Sequence, residues 1–119
     1  MHRSRLYGLF IDTPEGDAPA AATFWSAALG VPARPVPGEE QFIQLAGAHP
    51  ALTVDVQAVG AAPRYHVDIE TDDVDAETAR LLALGAVEID RWLDCHILRA
   101  PGGQIARVLS AHAEKGNEA

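Results

Sequence analysis

Three ionisable side chains recur at every second position in Tyr65-His66-Val67-Asp68-Ile69-Glu70. On a β-strand that spacing places His66, Asp68 and Glu70 on one face. A histidine beside carboxylates is equipped for general base work or for hydrogen bonding a substrate. Residues i and i+2 on a strand lie about 7 Å apart, so a direct His66–Asp68 bond requires the two side chains to lean together. The plainer reading is a wall histidine steadied by a neighbouring carboxylate. Arg107 shares a strand face with Ile105; buried, it needs a partner, which Asp68 or Glu70 supplies, or else an anionic ligand does. Gln44 and Gln57 lie on polar positions of alternating segments, where either ligand contact or solvent accounts for them. Trp92, Asp94, His96 and Leu98 form a further alternating set, and Asp12 shares a face with Gly8 and Phe10. Cys95 lacks a base on its own strand face, because adjacent His96 points the other way, and it reads as a small buried residue. The acidic run Glu70, Asp72, Asp73, Asp75 and Glu77 reads as helix-start chemistry, and it lacks the spacing and internal glycine of a calcium loop.

The elements that position these groups belong to one small domain. The chain has 119 residues, 48% of them hydrophobic and 22% charged, which is an ordinary globular composition. Its net charge of -8 argues against binding nucleic-acid backbones or anionic membranes. A single cysteine excludes an intramolecular disulfide and a cysteine-rich zinc site. No apolar run is long enough for a transmembrane helix, and the basic start at Met1-His2-Arg3-Ser4-Arg5 does not read as a secretory signal. A reducing cytoplasm is the expected location.

Leu6 to Asp12 reads as a strand ended by Thr13-Pro14. Asp17 offers a helix N-cap, and Phe24, Trp25, Ala28 and Leu29 recur at helical spacing up to Gly30, implying core packing. Pro32, Pro35 and Pro37 interrupt the chain after this helix. Gln41–Leu45 and Leu52–Gln57 read as strands separated by a turn, and 59–63 as a Gly/Ala/Pro linker. The pattern then restarts, with a strand from Tyr65, a helix capped by Asp73 or Asp75 and closed at Gly85, a short strand Val87–Ile89, a strand Trp92–Arg99, a turn at Pro101-Gly102-Gly103 and a last strand Gln104–Leu109. His112 to Ala119 reads as a frayed end. Ala28-Leu29-Gly30 and Ala83-Leu84-Gly85 lie 55 positions apart, as do Asp17 and Asp72. The repeated element order predicts two copies of one unit, over 4–58 and 64–111.

Phe24-Trp25-Ser26-Ala27-Ala28-Leu29-Gly30 resembles the first-helix signature of the vicinal oxygen chelate superfamily, which includes glyoxalase I, bleomycin-resistance proteins and extradiol dioxygenases. Arg64–Ile69 with Arg80–Ala86 resembles the start of its second module, and Ala100-Pro101-Gly102-Gly103-Gln104 its turn before the last strand. The resemblance covers nearly the whole chain and points to the small glyoxalase-like subgroup. It implies an α+β fold of two βαβββ modules, a U-shaped sheet around a cavity with the helices on its convex face, and a homodimer. It also implies where metal ligands would stand in metal-dependent members. His66 fills one such position. The position in the first strand falls on Gly8, or on Phe10 without an insertion, and the one after the last turn falls on Ile105. None of these three has a donor side chain, so no metal or other cofactor is expected. A rearranged His66/Asp68/His96 site is the remaining route to a divalent ion.

Three functions stay open. The first is a binder of a small polar or anionic organic molecule, with Gln57, His66, Asp68, Glu70, His96 and Arg107 as candidate contacts. The second is a lyase, isomerase or dioxygenase-type enzyme with a rearranged metal site or with His66 as base. The third is a non-catalytic dimeric scaffold. The missing ligand positions favour the first and third, and the polar face at His66 favours the first two.

Overall fold

The computed structural model describes residues 1–111; the end expected to fray, His112 to Ala119, lies outside the described residues. The elements are β1 (Ser4–Pro14), a 3-10 turn (Glu15–Asp17), α1 (Ala18–Leu29), β2 (Ala33–Val36), β3 (Glu39–Leu45), β4 (Thr53–Val59), β5 (Arg64–Thr71), α2 (Val74–Ala83), β6 (Val87–Trp92), β7 (Cys95–Arg99) and β8 (Ile105–Ser110). The order βαβββ therefore occurs twice, and the fold is mixed α+β. Hydrogen-bonded strands run in the order β2-β3-β4-β1-β5-β8-β7-β6. Two compact units result. One is residues 8–66. The other joins residues 1–7 to the chain from residue 67 onward.

In the unit 8–66, β1 pairs with β4 in parallel, with Phe10 opposite Asp55 and Asp12 opposite Gln57. Antiparallel β3 brings Ile43 against Val56 and Phe42 against Gln57. Alternation then separates two faces. Ile11, Leu45, Val54 and Val56 form the apolar core, closed by Ala18 and Ala22 of α1 with Trp25 packed against it. Phe10, Asp12, Phe42, Asp55 and Gln57 point the other way. The helix meets the core at positions 18, 22 and 25, a stripe of i, i+4 and i+7. Phe24 falls about 100° away from Trp25 on a helical wheel and is 61% exposed, which corrects the expected core packing of Phe24; Leu29 is exposed as well. Gly30 closes α1 at φ 69, the left-handed region that glycine enters at little cost.

Strand β2 was not expected across Pro32, Pro35 and Pro37. It pairs only with β3 and stands at an end of the strand order, so the missing N–H of Pro35 breaks no ladder on its outer side.

In the other unit, β6, β7 and β8 form an antiparallel run. The strand expected over Trp92–Arg99 is two strands. Trp92 ends β6, Leu93 and Asp94 make the turn, and Cys95 begins β7. Leu93 takes φ 48 there, a region that disfavours a branched side chain, and it is 95% exposed. Asp73 caps α2, its side chain accepting from Ala76 N at 3.0 Å.

Within this unit the start of β1 is stitched to β5 and α2. Arg3 N donates to Asp72 Oδ1 at 2.8 Å, Asp72 N to the Arg3 carbonyl at 3.1 Å, and Ser4 Oγ to Thr71 Oγ1 at 2.9 Å. Glu77, read from sequence as helix-start chemistry, lies in the first turn of α2 and is also wholly buried. Arg80 donates to it from two nitrogens at 2.8 Å each, and His2 Nε2 lies 2.9 Å from Oε1. Arg80 holds the Glu77 carboxyl down to about 2 against the opposing push of burial, with His2 and Ser4 adding to the effect.

Candidate functional site

His66 begins the site. It is buried in β5, and its Nδ1 lies 2.8 Å from Asp12 Oδ2. A carboxylate accepts only, so Nδ1 carries the hydrogen and donates. The Phe10 ring stacks parallel to the imidazole at 4.9 Å between centroids, and Phe42 meets Phe10 edge-on at 5.7 Å. Arg64 Nε donates to the same Asp12 oxygen at 3.2 Å, from a side chain that is half exposed. Asp12 itself is 2% exposed. Both of its donors go to Oδ2, which leaves the buried Oδ1 without a hydrogen-bond partner. Its register partner Gln57 carries a second buried acceptor, Oε1, also without one. Burying such an acceptor unmade costs about 1–3 kcal/mol, a cost that a donor reaching it, from water or from a ligand, relieves.

The other expected site residues are held elsewhere. Asp68 is completely buried and takes Arg107 as a bidentate partner, Nε to Oδ1 at 2.8 Å with a second, shorter contact to Oδ2. Of the two carboxylates expected to pair with Arg107, Asp68 is the one it meets. Glu70 bonds Arg5. His96 is buried on the α2 side of β7, where Nδ1 lies 2.8 Å from Thr78 Oγ1. Arg107 is opposite Ile97, the residue after His96, so alternation puts the Asp68–Arg107 pair on the other face of that strand. His96 and Asp68 therefore do not converge, which removes the rearranged His66/Asp68/His96 set. Burial pushes the Cys95 thiol up, away from nucleophilic use. Gln44 is exposed.

Asp12 is the residue that sequence reasoning passed over. It was placed on a face with Gly8 and Phe10, but its pairing with His66 spans 54 positions. The available signal was a lone aspartate ending an apolar strand.

The residues present do not fit the metal that the resemblance implies for some members. Phe10 and Ile105 have no donor. Gly8 has neither donor nor room, since a Cβ there would stand 2.6 Å from Thr53 Cγ2 and 2.9 Å from Phe10 Cε1. Among the described residues no group of three or more His, Cys, Asp or Glu side chains is placed to hold a metal ion. The crowding makes a prediction. Gly8→Ala should lower stability by about 1–3 kcal/mol in urea unfolding; an unchanged midpoint would mean that Thr53 simply turns aside.

No helix among the described residues is long and apolar enough to cross a membrane. No curated protein sequence matches the chain. Solved structures do. A hypothetical protein from Bacillus halodurans is similar at a TM-score of 0.62 and 9% identity, over 90% of this chain and 94% of that one. A methylmalonyl-CoA epimerase from Streptomyces coelicolor is similar at 0.57 and 18%, over 92% and 95%. A Mn(II)-bound glyoxalase from Novosphingobium aromaticivorans is similar at 0.59 and 16%, over 92% of this chain but 40% of that one. At these identities the likeness is one of fold. The family model for the glyoxalase-like domain matches residues 8–109, most of the chain, and with these neighbours it makes this protein a member of that family, within the vicinal oxygen chelate superfamily.

Proposed function

We propose that this glyoxalase-like chain binds a small polar organic molecule directly on protein side chains, at Asp12, Gln57 and His66, and not through a chelated metal. One observation carries the reading. A buried carboxylate is held in place by His66 and Arg64 through one oxygen while its other oxygen is left unused. The Arg107 guanidinium, the cation expected to meet an anionic ligand, is engaged by Asp68. Polar rather than anionic ligands are therefore favoured.

Elemental analysis of purified, untagged protein tests the first half. The expected result is far less than one divalent ion per chain. A stoichiometric metal that disappears in His66→Ala would overturn the reading. A thermal-shift screen of small polar molecules tests the second half, since a ligand at a hundred times its Kd raises stability by about 2.7 kcal/mol.

A second reading rests on the 2.8 Å His66–Asp12 contact. Donation from Nδ1 sets the tautomer with its basic lone pair on Nε2, the arrangement of a general base. Solvent deuterium entering a bound ligand at an acidic C–H, and failing to do so in His66→Gln, would make the binder an enzyme.

A further inference from the structure

We propose that the ligand presents an uncharged hydrogen-bond donor, a hydroxyl or a carboxamide, to Asp12 Oδ1 and Gln57 Oε1. This rests on the binding reading and names the chemistry of its ligand. The two acceptors belong to register partners on parallel neighbouring strands, so they lie side by side on the face opposite the apolar core. Both are buried and neither has a hydrogen-bond partner. Glutamine can turn its amide end for end, but a carboxylate cannot become a donor without taking up a proton. Asp12 therefore sets the requirement, and whatever meets Oδ1 must give a hydrogen.

Charge narrows the class. A carboxylate or phosphate on the ligand would face two acceptors and the aspartate charge together, a repulsion that burial strengthens. A cation is not called for either. Arg64 already lies 3.2 Å from Asp12 and supplies the matching positive charge, so a further buried ammonium would bring its own desolvation cost with the aspartate already paired. A neutral donor adds no charge: a carboxamide NH2 has a hydrogen for each oxygen, and a hydroxyl has one for Asp12 Oδ1.

Ligand-observed saturation-transfer NMR with four matched probes tests this: benzamide, benzyl alcohol, benzoate and benzylammonium. The expected result is transfer to benzamide and benzyl alcohol with little to benzoate or benzylammonium. Gln57→Leu removes one unpartnered acceptor and should leave the fold intact while weakening benzamide about fivefold to tenfold. Asp12→Asn retains an oxygen for His66 and Arg64 and turns the other position into a donor, so it should shift preference from benzamide toward benzoate. If the wild type takes benzoate or benzylammonium as well as benzamide, or if Gln57→Leu leaves the benzamide affinity unchanged, the donor assignment falls while the binding reading stands. If none of the four probes receives saturation, both fall together.

Discussion

Asp12→Ala should destabilise the protein by about 1–3 kcal/mol, because it leaves the buried His66 Nδ1–H without its acceptor while the half-exposed Arg64 turns to solvent. For a chain of this size that corresponds to a fall in Tm on the order of 10 °C. The loss is large because Asp12 is buried and accepts from two donors that arrive from β5, itself bound into the strand order beside β1. Asp12→Asn keeps an acceptor for those donors and should cost clearly less. Urea unfolding of the wild type and both variants checks the order. A penalty under about 1 kcal/mol for Asp12→Ala would mean that the pair is screened as a surface ion pair is. The candidate site would then lose its anchor.

Glu77→Gln should remove a stabilisation that depends on pH. The folded-state pKa of Glu77 lies near 2, below its ordinary value of 4.5, with Arg80 as the main cause. A depressed carboxylate contributes stability that is fully present above the ordinary value and is lost as pH falls through the folded one. The contribution at neutral pH is about 2–3 kcal/mol, at about 1.4 kcal/mol per unit with allowance for the exposed Arg80 partner. The wild type should therefore exceed Glu77→Gln by about that much at pH 7. The gap should shrink below about pH 4.5 and close near pH 2. Denaturant midpoints at several pH values read this directly. A gap that stays constant from pH 7 to pH 2 would assign the effect to packing rather than to charge.

Much of the fold was legible because local signals and tertiary demands agree. Gly30 and Gly85 end the helices, Asp73 caps one, and the alternation at Leu52–Gln57 and Tyr65–Glu70 marks two strands. The exceptions have identifiable causes. Strand β2 tolerates Pro35 because it is an edge strand, and edge status depends on an order that no local pattern contains. The Leu93–Asp94 turn lacks glycine, so its left-handed backbone was invisible. Glu77 reads as helix-start chemistry alone until Arg80, one helical turn on, and His2, 75 positions away, surround it. The site divides in the same way. His66 stood out by its strand position, and Arg107 by its need for a partner. Asp12 acquires its meaning only from Arg64 and His66, more than fifty positions later.

The stitching of Arg3 and Ser4 to Thr71 and Asp72 has a consequence for how the chain is made. Strand β1 belongs partly to a unit whose remaining residues start at Val67. That unit is discontinuous, and its opening strand must wait some sixty residues for its partners, a closure that slows folding by its entropy. A gene cut at the linker 59–63 would not yield two self-sufficient halves. The downstream piece would lack the strand that covers β5, and the upstream piece would carry Arg3 and Ser4 with nothing to bond. Coexpressed, the two pieces should find each other and complement.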